Sequence, residues 1–221
     1  MIVIRATLPS KNLPVRRVLA KLFQSYVYKH LPAKEHQGYK HPSGKVFKSM
    51  NFKILYKDYN LIIKYVSHNK NYERRIAEAV LIDGLKLGEI HIASTELSLH
   101  NREIELGKKI KVQGYVAAAI KDGHSNKKIY LEPKTHKYQE IIHKHTEQKY
   151  QALFGKPYEG DLKIKLLYQS RKPKRFFYNK GAIVVWHGVY EIEAEEKMLK
   201  LILDTGLGAH AMQGVGFVEV V

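Results

Sequence analysis

The chain has 221 residues, 44% of them hydrophobic, which suits one large domain or two small ones and excludes a disordered polypeptide. Lys plus Arg number 38 against 21 Asp plus Glu, so the formal charge of +17 calls for a polyanionic partner. The absence of cysteine excludes disulfides, thiolate catalysis and cysteine-ligated zinc. Nucleic acid is the first candidate partner. An anionic membrane surface comes second, since no segment approaches the length of a spanning helix. The opening MIVIRATLPS reads as a strand rather than a signal peptide, so a cytoplasmic protein without a membrane partner is expected.

Ile2 to Leu8 alternates apolar and other residues as a strand does, and Pro9 and Pro14 bracket a turn. Val15, Val18, Leu19, Leu22, Phe23, Tyr26 and Val27 then fall on one face of a helix ending near Lys29. Residues 30–45, with two prolines, two glycines and three histidines, read as a loop. Val46 to Tyr56 and Tyr59 to Ser67 form a hairpin across Lys57-Asp58. Tyr72 to Leu85 is helical in period, and Leu87 to Leu99 returns to strand. A similar order follows: strands over Lys108–Ile120 and Lys127–Leu131, a helix from His136 to Phe154, and a strand over Asp161–Gln169. RKPKRFFYNKGAIVVWHGVYEIE then makes a hairpin, EEKMLKLILDT the last helix and FVEVV the last strand. The fold class expected is α+β, two tandem ferredoxin-like (βαββαβ) domains over residues 1–110 and 111–221, packed about a basic cleft.

Between the last helix and strand lie Gly206, Gly208, Gly214 and Gly216, spaced G-x-G, five residues, G-x-G. Glycine supplies positive φ and close backbone approach, and free N–H groups in such a loop make an anion-binding concavity. The spacing is neither a P-loop nor a dinucleotide fingerprint, whose glycines open a helix. A long helix-to-strand turn with a glycine cap is the plainer account. Beside so basic a chain, we read the four together as a nucleic-acid phosphate contact. His210, inside this loop, either stacks on a base or faces water.

Twelve histidines are present. His143 and His145 are two apart, cannot chelate from one helix face, and are expected to be solvated. The loop after the first helix instead holds His30, His36 and His41 with Tyr26, Tyr39, Lys40 and Lys45 nearby. A histidine, a tyrosine and a lysine suffice to cleave RNA without metal. Imidazole moves the proton of the 2′-hydroxyl or of the departing 5′-oxygen, and lysine stabilises the phosphorane. A surface loop of ordinary polar residues is the competing account. Arg171, Lys172, Lys174 and Arg175, on a proline-marked edge, read as phosphate contacts or as a solvated charged border. Trp186 reads as core. The carboxylates are too scattered for a two-metal site, so no metal and no cofactor are expected.

The segments KPKRF, GAIVVWHGVYEIEA and GLGAHAMQGVGFVEV, with KYQALFGKP before them, resemble the CRISPR repeat-processing endoribonucleases. These are the sixth Cas family of the repeat-associated, RNA-binding superfamily. The likeness is strongest over Arg171–Val221, with all four glycines in register; the first half fits by element order and the histidine loop. It implies two ferredoxin-like domains and a metal-independent cut of CRISPR precursor RNA within repeats. The ends would be a 5′-hydroxyl and a 2′,3′-cyclic phosphate. It also implies a catalytic set of Tyr26, His41 and Lys45, with His36 the alternative histidine. RNA binding would fall to Arg171, Lys172, Lys174, Arg175, Gly206, Gly208, His210, Gly214 and Gly216. The expected partner is CRISPR repeat RNA, single-stranded or hairpin; a homodimer and a CRISPR effector complex are further possibilities. A non-catalytic RNA-binding subunit of such a complex is the alternative function.

Overall fold

A computed structural model describes residues 1–8, 18–92, 94–100, 108–123, 125, 127–179 and 181–221. The first half runs β1 (Ile2–Thr7), α1 (Leu19–His30), α2 (Ala33–Gln37), β2 (Tyr39–Lys40), β3 (Val46–Phe47), β4 (Met50–Lys57) and β5 (Asn60–Ser67). It continues with α3 (Lys70–Asp83), β6 (Leu85–Leu87), β7 (Ile90–Ile92) and β8 (Thr95–Leu99). The main sheet has the order β4-β5-β1-β8, all antiparallel. Ile2, Ile4 and Ala6 alternate to one face of β1, where they meet Phe23, Tyr26 and Val27 of α1 and Ile76, Ala77 and Val80 of α3.

The second half runs β9 (Lys109–Val116), β10 (Ala119–Lys121), β11 (Lys128–Tyr130), α4 (His136–Phe154), β12 (Lys163–Gln169), β13 (Lys174–Tyr178), β14 (Gly181–Glu193), α5 (Glu196–Thr205) and β15 (Val218–Val220). Its sheet has the order β12-β14-β9-β15, which repeats the first sheet's arrangement. The long β14 pairs with β13 through residues 181–185 and with β12 through residues 188–193. Thr135 caps the start of α4 by accepting from the Tyr138 N–H, and Gly155 ends it in the left-handed conformation. Each half is thus a βαββαβ unit with the second strand at one sheet edge and the fourth at the other.

The halves are joined by polar contacts. Glu219 of β15 accepts from Lys53 (2.8 Å) and Lys64 (2.5 Å), and Asp204 of α5 from Lys70 (2.6 Å). Met212 from the second half is buried in the first half's core.

Several boundaries differ from the sequence reading. Residues 30–45 hold α2 and β2, because Tyr39 and Lys40 pair with Phe47 and Val46. The strand expected over Val46–Tyr56 breaks at Lys48-Ser49. Leu87–Leu99 folds into a β6–β7 hairpin followed by β8, since Gly88 turns at φ 65°. The strand over Lys108–Ile120 breaks at Ala117-Ala118 between β9 and β10. The expected turn at Pro9 and Pro14 and the helical residue Val15 lie outside the described residues.

Candidate functional site

The pairing of β2 with β3 leaves His41 to Lys45 as a tight turn: the His41 N–H donates to the Lys45 carbonyl (2.8 Å). The Gly44 N–H returns to the His41 carbonyl (2.9 Å), with Gly44 at φ 81°. One turn therefore holds the imidazole and the ammonium. It faces α4 of the other half. The Ser43 N–H donates to His41 Nδ1 (3.0 Å), which makes Nδ1 the acceptor; Nε2–H then donates to Gln151 Oε1 (2.8 Å). Lys45 Nζ donates to Gln148 Oε1 (2.9 Å). Burial, and then the charge of Lys144, lowers the Lys45 pKa.

His145 sits one turn earlier on the same face of α4, its ring 4.8 Å from that of Phe47 at 62°. Phe47 lies edge-on to His41, 6.4 Å away. His145 is not solvated as expected: Nδ1 is buried without a hydrogen-bond partner. Burial, followed by Lys149, Lys45 and His210, pushes its pKa down to about 3. His145, Gln148 and Gln151 stand at i, i+3 and i+6, a spacing visible in the sequence but without any sign of what that face meets.

Tyr26 does not join this group. It is 5% exposed within the first core, and its hydroxyl donates to the Gly84 carbonyl (3.2 Å). Burial pushes its pKa up to about 12. The helical period that forms α1 places Tyr26 on the apolar face with Phe23 and Val27, packed in the first half's core. His36, on α2, packs against Tyr28 with ring centroids 4.8 Å apart and the planes tilted by 38°. The ammonium of Lys48 donates to the carbonyls of His36 (2.5 Å) and Glu35 (3.3 Å) and lies 5.2 Å from the Tyr28 ring.

The glycine-rich segment is packed rather than open. The Gly206 N–H caps α5 at the Ile202 carbonyl, Leu207 N–H bonds the Gly216 carbonyl (2.8 Å), and Ala209 N–H bonds Ala117 (2.9 Å). The Gly216 N–H donates to Tyr115 (2.8 Å) and that of Gly214 to Ala211 (3.3 Å). The anion-binding concavity of free N–H groups expected there is therefore not formed by Gly206, Gly214 and Gly216. A Cβ on Gly206 would meet the Gly216 carbonyl oxygen at 2.5 Å, one on Gly208 the Ala117 oxygen at 2.5 Å, and one on Gly216 the Leu207 oxygen. These three glycines let backbones touch. Buried Lys149 of α4 donates to the Gly206 (2.5 Å) and Thr205 (3.4 Å) carbonyls, and burial lowers its pKa to about 7. His210 adopts φ 70°, bonds Gln213 through Nδ1 and buries an unpartnered Nε2. Its pKa falls to about 4, through burial first and then Lys128.

Gly214 and Gly216 also line a cavity of about 590 Å³ between the halves, together with Lys53, Lys57, Lys174 and Arg175. Tyr115 and Phe176 line it too, with Lys174 Nζ 5.0 and 5.4 Å from their ring centroids. Arg171 and Lys172 are exposed in the bend before β13. Among the described residues no group of three or more His, Asp and Glu side chains is placed to hold a metal ion. Among them, too, no helix is long and apolar enough to cross a membrane.

Residues 114–220 match the family model described as CRISPR associated protein Cas6, C-terminal. No curated protein matches the chain. Solved structures resemble it over its whole length. One is described as "Characterization of a Cas6-related gene from Pyrococcus furiosus" (TM-score 0.74, 16% identity, 100% of this chain and 98% of that one). Another is "An RAMP protein binding different RNA substrates" (TM-score 0.71, 19% identity, the same coverages). A third is a Cas6 product complex (TM-score 0.68, 15% identity, 100% and 98%). At these identities the likeness establishes the fold.

Proposed function

From the match of residues 114–220 to the Cas6 C-terminal family model and the fold shared with Cas6 structures, we propose that this protein is a metal-independent endoribonuclease that cuts CRISPR precursor RNA within its repeats. The observation that carries the reading is the 41–45 turn, which presents His41 and Lys45 together at the junction of the halves. The 2′-hydroxyl upstream of the scissile phosphate attacks phosphorus and the 5′-oxygen leaves. The products are a 2′,3′-cyclic phosphate and a 5′-hydroxyl. His41 transfers a proton, and Lys45 stabilises charge on the phosphorane.

RNA binding is assigned to the basic, aromatic-lined cavity beside Gly214 and to the edge carrying Arg171, Lys172, Lys174 and Arg175. There ammonium and guanidinium groups meet phosphates, and rings stack on unpaired bases. Lys174→Glu weakens repeat-RNA affinity while leaving the single-turnover rate at saturation near normal, and binding falls steeply with salt. Cleavage proceeds in EDTA and stops when the nucleotide supplying the 2′-hydroxyl is 2′-deoxy. Cutting of that deoxy substrate at the normal rate would refute the mechanism.

His36 supports a second reading, since it is packed with a tyrosine and a lysine. We place it second because the Lys48 ammonium is already engaged by two carbonyl groups. Loss of cleavage in His36→Ala with wild-type rates in His41→Ala would reverse that order. A protein that binds repeat RNA tightly and never cuts it is the non-catalytic subunit.

A further inference from the structure

We propose that His145 is a second proton-transfer residue of the cleavage site, acting from α4 across the 41–47 turn; this rests on the endoribonuclease reading. Attack by a 2′-hydroxyl moves two protons, one off the nucleophile and one onto the departing 5′-oxygen. His41 is built to give a proton. Ser43 offers its Nδ1 both an N–H donor (3.0 Å) and a hydroxyl oxygen (2.8 Å), so the neutral ring and the imidazolium are each held, with Nε2 turned towards Gln151. A base needs a nitrogen with a lone pair to spare, and both His41 nitrogens are engaged.

His145 has that capacity. Its Nδ1 is buried with no partner, an arrangement a structural position would shed by carrying leucine or phenylalanine. The titratable groups bearing on it are Lys149 on its own helix, Lys45 on the turn and His210, itself held neutral by burial, on the glycine-rich segment, while Phe47 packs against the ring. Burial and the two lysines keep the imidazole neutral, as a base must be. A phosphodiester docked beside Lys45 opposes the cations and raises the proton affinity of the ring when substrate is bound.

In the step itself, RNA seated beside Lys45 displaces the packing over His145, and the exposed, unprotonated Nδ1 takes the 2′-hydroxyl proton as the 2′-oxygen bonds to phosphorus. The bond from phosphorus to the 5′-oxygen breaks, and that oxygen takes the Nε2 proton of His41, which enters the step as imidazolium with Nδ1–H on the Ser43 hydroxyl oxygen. His145 ends as imidazolium and His41 as neutral imidazole, and exchange with water restores both.

The test is single-turnover cleavage of a CRISPR repeat RNA in EDTA by wild type, His145→Ala, His145→Gln and His41→Ala. Each is also given an RNA whose 5′-bridging oxygen at the cut is sulfur, a leaving group that needs no proton. Both His145 variants are expected to slow about a hundred- to ten-thousandfold on normal RNA, with binding unchanged. They stay slow on the sulfur substrate, whereas His41→Ala regains its rate there. His145→Gln keeps a polar side chain of similar reach, so it decides the matter if His145→Ala unfolds. Wild-type cutting by His145→Gln, or rescue of the His145 variants by sulfur, overturns the proposal. A wild type that binds the RNA but cuts neither substrate overturns the endoribonuclease reading itself, and this proposal falls with it.

Discussion

The glycine-rich segment and the 41–47 turn have exchanged the characters their sequences suggest. Four spaced glycines read as an open loop shaped for phosphate, yet the N–H groups of Gly206, Gly214 and Gly216 are closed on the carbonyls of Ile202, Ala211 and Tyr115. A proline- and histidine-rich stretch reads as a loose loop, yet it contains a helix, a strand pair and a turn that presents polar side chains to the opposite half. Glycine without a side chain permits either solvent access or close backbone contact, and only the neighbours decide which. Chemistry needs side-chain nitrogen and oxygen held at a junction, which is what the turn and α4 supply.

The largest expected effect tests the turn. His41→Ala slows single-turnover cleavage by about a hundred- to ten-thousandfold, as for loss of one general acid or base, with RNA affinity nearly unchanged. Lys45→Ala costs less, because a neighbouring cation still offsets part of the phosphorane charge. Equal, wild-type rates for both variants would return the turn to the status of a structural link.

The glycine-rich segment is tested next, by stability rather than rate. Gly216→Ala adds a Cβ against the Leu207 carbonyl at φ 78°, and a destabilisation of roughly 2–5 kcal/mol is expected from backbone strain plus overpacking. Gly44→Ala meets nothing within 4 Å, so its cost is the left-handed conformation alone, about 1 kcal/mol. Urea denaturation of the two variants measures the difference. Equal losses would mean that the packing around Gly216 yields easily.

Lys149 links the two regions, because it lies on α4 and holds the carbonyls at the start of the glycine-rich segment. Its pKa is about 7 in the folded protein against an ordinary 10.5. Between those values the unfolded chain binds more protons, so this group makes stability rise with pH across that window. Below about 7 its full penalty is present. Lys149→Met flattens the slope by a few kcal/mol over the window, read from denaturation midpoints at successive pH values. An unchanged slope would assign it to other groups.

Much of this was legible in the sequence, and the misses have physical causes. Strand alternation and helical period were enough to find both βαββαβ units, because burial on one face leaves a regular trace in residue type. Trp186 was expected in the core, and it is 8% exposed. The short interruptions at Lys48-Ser49 and Ala117-Ala118 left none, since a break in pairing changes few residue types. The face of α4 carrying His145, Gln148 and Gln151 is polar in either environment, so its partner in the other half was not readable. The burial of His145 is hidden by the same polarity.

Tyr26 is the instructive case, because its packing was already legible in the sequence. Leu19, Phe23, Tyr26 and Val27 share one helical stripe, and a stripe of that kind packs inward whatever chemistry one of its members might perform. The smallest expected effect follows from this. Tyr26→Phe keeps the ring in the core beside Phe23 and removes only the hydroxyl that donates to the Gly84 carbonyl. Loss of that bond costs on the order of 1 kcal/mol, with the carbonyl left short of one donor. The cleavage rate at saturating RNA should stay at the wild-type value, since no reacting atom loses a contact. A large fall in that rate, with the melting temperature nearly unchanged, would move the phenol out of the core in the RNA-bound state and place it in the catalytic set. A small loss of stability with full activity keeps the tyrosine a packing residue and leaves proton transfer to the imidazoles at the junction.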